Sequence, residues 1–249
     1  MARNQTERVV KEVELTNLTV QDILGWKLKN SSVIIVGKRD EKEQQITSIE
    51  SWNQEYTDLC GGEDTTDVLY SFLSIYALGV WVYNKDLEIF QCDENRIKVR
   101  TKKDGKYNQY LYSKKFLLSL QKKPIAGIQV KELNEFLQNF IKVFFSVGNL
   151  IPMWPGGNTL KGNQNNGFMD IPELYFTKYE AWYKFLAQHE NAYLQEMTRY
   201  MKENKENLGS LKSFLGMFHS IEDYKNYVDH IIEIIINREK AIKNGGLNI

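Results

Sequence analysis

Two carboxylates and one lysine lie close together in one unusual segment of the sequence, residues 147–176 (VGNLIPMWPGGNTLKGNQNNGFMDIPELYF). Asp170 and Glu173 are of the residue type that holds Mg²⁺ or Mn²⁺, and Lys161 carries a charge that can bind a phosphate. These three residues are catalytic candidates for a metal-dependent reaction on nucleic acid or on a nucleotide. The two acids also fit a helix start, with Asp170 as N-cap, Pro172 in the first turn and Glu173 at a capping-box-like spacing.

The same segment contains four binding candidates, Asn149, Trp154, Gly157 and Asn158. Tryptophan is typical of binding hot spots, and glycine lets the backbone approach a ligand closely. Each asparagine has a structural alternative, because asparagine tolerates left-handed backbone and bonds its own loop. A long loop of this composition is more often functional than filler.

Glycines in this segment offer a second kind of site. Gly148, Gly156, Gly157 and Gly162 have backbone N–H groups that can face an anion, with Lys161 beside them. The spacing in GGNTLKG differs from that of phosphate-binding loops, so we favour a structural loop over an anion site.

Signatures of familiar enzymes are missing: the sequence has no GxSxG elbow, Walker loop, HExxH motif or kinase set. Cys60 and Cys92 form no CxxC pair and have no neighbouring histidine, which predicts reduced thiols without a zinc site. The histidines, His189, His219 and His230, fit surface or interface positions better than ligand positions. We predict no metal and no cofactor.

The charge balance is neutral, with 32 Lys plus Arg and 32 Asp plus Glu. Zero net charge gives no general attraction to nucleic acid or to an anionic membrane and leaves only local basic surfaces for such contacts. The longest apolar runs, VIIV and IIEIII, are too short to span a bilayer, and the first residues lack the apolar core of a signal peptide. We expect a cytoplasmic protein whose partner, a protein or a small molecule, the sequence does not identify.

In the first half of the chain, the apolar pattern predicts both strands and helices. A strand is expected at 32–37 (SVIIVG), and a helix is expected to follow Asp64, Thr65 and Thr66 as candidate caps. Alternation between 86 and 112 predicts a hairpin with a turn at Asp104-Gly105. Its basic residues fit either a nucleic-acid ribbon or a solvated strand face, and the alternation favours the solvated face. They are Arg96, Lys98, Arg100, Lys102 and Lys103.

In the second half, helical spacing dominates. A helix at 130–147 has a wide apolar stripe, and the last helix begins at Ser220 and ends before Gly245-Gly246. We predict one α+β domain, mostly α-helical, over 1–249. It has an α/β part at 1–125 with the hairpin at 86–112, and a helical part at 126–249 with the 147–176 loop.

The order of residues after helix 130–147 predicts a concavity. Ile151-Pro152 and Trp154-Pro155 force extended backbone, and Gly156-Gly157 allow the chain to turn back. Asn149, Trp154, Asn158 and Asp170 then surround one hollow, with Trp154 as its floor. The alternative is that Pro152 to Pro155 simply fill the core between the two parts of the chain.

Two resemblances concern this segment. GNLIPMWPGGN resembles the GNLTLL…N stretch of the HNH-type domain in Gmr-type modification-dependent restriction nucleases, through Gly148, Asn149, Leu150 and Asn158. In that family a histidine precedes the stretch and acts as general base, whereas here no histidine precedes position 189. The resemblance therefore implies at most a degenerate nuclease.

A wider resemblance covers residues 110–185, with FSVGNLIPMWPGGNTLKG and DIPELYFTKYEAWY as its core. It is to an uncharacterised bacterial family, a domain of unknown function with a (V/I)GNxIP loop, a downstream Asn and an Asp-led helix. That resemblance implies a site region without a mechanism, and an association with restriction and phage-defence systems.

Two functional hypotheses remain. We favour a non-catalytic recognition module centred on the 147–176 loop, with Trp154, Trp182 and Tyr183 as apolar contacts. The alternative is the metal-dependent enzyme on nucleic acid or nucleotides. We rank the recognition module first because the sequence lacks the signatures of familiar enzymes.

Overall fold

The structure, a computed structural model, describes residues 11–13, 19–20, 35–37, 66–92, 97–111, 114–123, 125–144, 146–152, 171–174 and 210–244. The helices are α1 (Phe72–Tyr83), α2 (Lys114–Lys122), α3 (Lys131–Phe136), α4 (Gln138–Phe144), α5 (Leu211–Leu215) and α6 (Ile221–Asn244). The strands are β1 (Lys11–Val13), β2 (Ile35–Gly37), β3 (Thr66–Val68), β4 (Leu87–Cys92), β5 (Ile97–Thr101), β6 (Gln109–Tyr110) and β7 (Leu150–Pro152). This is the mostly helical α+β fold that the sequence predicts.

Three small sheets involve the described strands. β1 pairs with β2 in parallel, β3 pairs with β7 antiparallel, and β4, β5 and β6 form an antiparallel sheet in that order. The predicted strand at 32–37 is confirmed over Ile35–Gly37 by β2, while 32–34 lie outside the described residues. The predicted hairpin is confirmed by β4, β5 and β6. Gly105 has φ 63° in the turn after β5, a left-handed conformation that favours glycine, as the Asp104-Gly105 prediction requires.

Helix α1 begins later than the sequence predicts. Thr66, expected as a cap residue, lies instead in strand β3, where it faces Pro152 of β7. The helix begins after Ser71, and its residues from Phe72 to Val80 are all buried. The reason for the difference is non-local, because the strand partner comes more than eighty positions later in the chain.

Helices α1, α3 and α6 pack closely at Gly79. A Cβ added to Gly79 would overlap the side chains of Leu133 of α3 and Tyr224 of α6, so these side chains would have to shift to accept a larger residue. The hydroxyl of Tyr224 donates to the carbonyl oxygen of Ile75 at 2.9 Å, which satisfies this polar group inside the core. The three helices therefore share one interior.

The predicted helix at 130–147 is present as α3 and α4, separated at Leu137. Its apolar stripe is buried as expected, and Phe140 stacks on Phe72 with ring centroids 6.0 Å apart. The helix ends at Phe144, and a 3-10 turn, Val147–Asn149, leads directly into β7. This turn brings the start of the 147–176 segment into the core.

Helix α6 has the predicted ends. Ser220 Oγ accepts from the backbone N–H of Asp223 at 3.1 Å, and the Asp223 carboxylate accepts from the backbone N–H of Ser220 at 2.8 Å. This reciprocal pair satisfies two N–H groups at the helix start. The helix ends at Asn244, directly before the two glycines. None of the helices in the described part of the chain has the length and apolar character needed to cross a membrane.

Candidate functional site

Asn149 holds the first flank of the 153–170 segment to the start of α1. Its Oδ1 accepts from the backbone N–H of Tyr70 at 2.9 Å, and its Nδ2 donates to the carbonyl oxygens of Phe144 at 2.9 Å and Tyr70 at 3.3 Å. Its own carbonyl oxygen accepts from the Leu69 N–H at 2.6 Å. Asn149 has no exposed surface. Its side chain therefore forms hydrogen bonds with backbone groups that the pairing of β3 with β7 does not satisfy.

Gly148 lies against the last turns of α6. An added Cβ would overlap the carbonyl oxygen of Ile235 and would lie 3.0 Å from the backbone nitrogen of Glu239, so the contact needs glycine. The Gly148 carbonyl oxygen accepts from Nη1 of the buried Arg238 at 2.6 Å. This packing fills the space beside the Gly148 Cα, and the other residues of the anion-site alternative, Gly156, Gly157, Lys161 and Gly162, lie outside the described residues.

Glu173 holds the second flank. It lies in a short helical stretch, 172–174, and has no exposed surface. Its Oε1 accepts from the hydroxyl of Tyr70 at 3.0 Å, and its Oε2 accepts from the hydroxyl of Tyr227 at 3.3 Å. The predicted capping partner, Asp170, lies outside the described residues.

Burial raises the pKa of the Glu173 carboxyl from 4.5 to about 7. Hydrogen bonds from its own backbone N–H, from Tyr70 and from Tyr227 oppose this shift, because each stabilises the ionised form. A carboxyl with such a pKa is half-protonated near neutral pH and suits proton transfer. Glu173 has no exposed surface and both its oxygens accept from tyrosines inside the core, so within the described part of the chain neither oxygen faces an open site.

The two flanks meet at one residue, Tyr70. Asn149 binds its backbone and Glu173 binds its side chain, across 79 and 103 positions of sequence. We name this arrangement the Tyr70 base, where base means the structural support of the segment and not a proton acceptor. Its residues are Tyr70, Gly148, Asn149, Glu173, Tyr227 and Arg238.

Of the seven residues that the sequence singles out, Asn149 and Glu173 are described and are brought together by the Tyr70 base. The other five, Trp154, Gly157, Asn158, Lys161 and Asp170, lie outside the described residues, as do Trp182 and Tyr183. In the parts of the chain that the structure describes, no group of three His, Cys, Asp or Glu side chains is arranged to hold a metal ion.

Sequence reasoning missed Tyr70, Arg238 and Glu239. The two charged residues follow Ile234 and Ile235 by four positions on α6, so they continue its buried stripe. A charged residue at a stripe position signals a buried polar contact, and this signal was available in the sequence. Tyr70 carries no comparable local signal.

Comparison with protein-family models, with curated proteins and with solved structures finds no match to this chain.

Proposed function

We propose that this protein is a non-catalytic recognition module, and that residues 153–170 are its binding segment. The observation that carries the proposal is the Tyr70 base, which ties both flanks of this segment to one buried residue. Binding segments are commonly carried by a rigid scaffold, because fixing the ends in advance lowers the entropy lost on binding.

The composition of the segment supports binding. Trp154 offers a large apolar contact, while Asn158 and Lys161 offer hydrogen bonds and one charge. Glycines at 156 and 157 permit close approach of a ligand to the backbone. A protein partner, a peptide or a small molecule with an apolar group and an acidic group matches this set.

Glu173 favours recognition over catalysis. Among the three catalytic candidates, Glu173 is the one in the described residues, and its carboxylate oxygens accept from Tyr70 and Tyr227 inside the core. A metal ligand or a general base needs an oxygen that faces the substrate or the metal. Glu173 instead supports the scaffold.

The test compares two matched double variants in a binding assay. The purified chain is screened by thermal shift against acidic and aromatic peptides, nucleotides and oligonucleotides, and each hit is measured by calorimetry. Asn158→Ala with Lys161→Ala is expected to weaken binding at least tenfold at an unchanged melting temperature. The control is Asn139→Ala with Lys142→Ala, the same residue types at the same spacing on the exposed side of α4.

A contrary result would be turnover. If the parent hydrolyses DNA, RNA or nucleotides only with Mg²⁺ or Mn²⁺, and Asp170→Ala abolishes this while the melting temperature is kept, the protein is the metal-dependent enzyme of the alternative hypothesis. The proposal is also contradicted if Asn158→Ala with Lys161→Ala weakens binding no more than the control does, because the binding surface would then lie outside 153–170.

A further inference from the structure

The β4-β5-β6 sheet has one face turned away from the core. Leu87, Ile97 and Val99 are buried on the inner side, whereas Lys98 and Arg100 alternate with them and point outward. We call the outward side the outer face. Its residues are Glu88, Phe90, Lys98, Arg100, Lys102 and Tyr110.

A bulge in β4 places an aromatic ring on the outer face. The register shifts between Ile89, which pairs with Val99, and Gln91, which pairs with Lys98, so Phe90 is the extra residue. Ile89 packs against the core, while the Phe90 ring lies beneath the charged groups of Lys98 and Arg100, at 5.2 Å and 5.1 Å. The bulge therefore places a half-buried aromatic ring on the outer face, beneath two cations.

Tyr110 of β6 provides a second ring beside the first. It pairs directly with Lys98, whose Nζ lies 5.9 Å from the Tyr110 ring centroid. Tyr110 is the exposed large hydrophobic residue of the described chain, at 39 %. Lys98 thus stands between two aromatic rings.

The outer face is more basic than the hairpin as a whole. Over 86–112 the hairpin has six basic and five acidic residues, whereas the outer face has Lys98, Arg100 and Lys102 against Glu88. Arg100 pairs with Glu88 at 3.2 Å, with both side chains more than 40 % exposed, and such a pair yields readily to a phosphate. At the turn end of the hairpin, a cavity of about 480 Å³ is lined by Lys103 and Lys106, which pair there with Asp86 at 3.5 Å and with Asp104 at 3.6 Å.

We propose that the outer face binds single-stranded nucleic acid, with a base stacked on Tyr110 and with phosphates bound by Lys98, Arg100 and Lys102. Aromatic rings interleaved with cations on a sheet form a stacking platform for unpaired bases. In a duplex the faces of the bases are stacked on one another, so a duplex offers no free base face for the exposed Tyr110 ring to stack on. The proposal is independent of the binding segment 153–170.

The test uses fluorescence anisotropy with a labelled 15-nucleotide oligodeoxythymidine at low salt. We expect saturable binding by the parent and about tenfold weaker binding by Tyr110→Ala, whereas Tyr110→Phe keeps the ring and the affinity. Lys98→Ala with Lys102→Ala is expected to weaken binding by at least tenfold. It should also lower the slope of log K against log salt by about 1.4, at ~0.7 for each phosphate on a single strand.

Two controls make the assay decisive. Lys131→Ala with Lys142→Ala removes the same charge from the exposed sides of α3 and α4 and should leave binding within about twofold. Unlabelled duplex of the same length should compete poorly. The proposal is overturned by an absence of binding in the parent, by equal loss in the control variant, by full affinity in Tyr110→Ala, or by a duplex that competes as well as the single strand.

Discussion

The side-chain amide of Asn149 behaves as one more strand position opposite Tyr70. It accepts from the Tyr70 N–H at 2.9 Å and donates to the Tyr70 carbonyl oxygen at 3.3 Å, just beyond the point where β3 and β7 stop pairing at Val68 and Leu150. The side chain of Asn149 thus continues the hydrogen bonding between β3 and β7 beyond their last backbone pair.

Asn149→Ala should lower the free energy of unfolding by about 2–4 kcal/mol, because it leaves buried polar groups of Tyr70 and Phe144 without this partner. Urea denaturation followed by circular dichroism measures the change. Asn139→Ala, on the exposed side of α4, is the matched control and should change stability by no more than ~0.5 kcal/mol. Equal effects of the two substitutions would contradict the assigned role.

Gly148→Ala should destabilise the protein by about 2 kcal/mol or more, because the added methyl group overlaps the carbonyl oxygen of Ile235, which belongs to a helix and cannot move away cheaply. Gly216→Ala is the control. Gly216 has φ −64° and its nearest neighbour to an added Cβ is 3.2 Å away, so a change below ~1 kcal/mol is expected. A neutral Gly148→Ala would show that the turn and α6 are not in close contact.

Glu173 should make stability depend on pH. Its pKa is about 7 in the folded protein and 4.5 as the reference for the unfolded chain, so between these values the unfolded chain releases a proton that the folded protein retains. The contribution of Glu173 to stability is therefore largest below about pH 4.5, falls as pH rises, and levels off above about pH 7. The full loss is about 3 kcal/mol, at ~1.36 kcal/mol per pH unit.

Glu173→Gln removes this titration. The measured quantity is the unfolding free energy of the parent minus that of the variant at pH 4.5, 6 and 8. We expect this difference to fall as pH rises, because the parent loses stability that the variant keeps. Glu135→Gln, on the exposed side of α3, is the control and should leave the pH dependence of the parent unchanged. A parent-minus-variant difference that is constant across the three pH values would refute the assignment.

Tyr227→Phe should raise the pKa of Glu173 further, because it removes a hydroxyl that donates to Oε2 and favours the ionised carboxylate. The same pH series should then show the upper plateau displaced to higher pH. Loss of one buried hydrogen bond adds about 1–2 kcal/mol of destabilisation at neutral pH. An unmoved plateau would mean that this hydroxyl does not act on Glu173.

Local signals in the sequence predicted much of the fold. The Ser220 cap, the apolar stripe of α3 and α4, and the turn at Gly105 all depend on residues within a few positions of one another, and each is confirmed. The start of α1 was predicted wrongly because β3 is a strand only through its pairing with β7. Within the candidate site, Asn149 and Glu173 were identified by type, but their shared partner Tyr70 depends on the fold.

The contacts of the Tyr70 base also set an order for folding. Tyr70 reaches Asn149 and Glu173 over 79 and 103 positions, and Gly148 reaches Arg238 over 90. Contacts that span so much chain form slowly, because the entropy of closing each large loop is lost before the contact stabilises anything. During synthesis Tyr70 leaves the ribosome long before Arg238 exists. Until α6 is complete, Glu173 lacks the hydroxyl of Tyr227 and the Gly148 carbonyl oxygen lacks Arg238, so the nascent chain holds these polar groups and the aromatic core of α1 and α4 without their final cover.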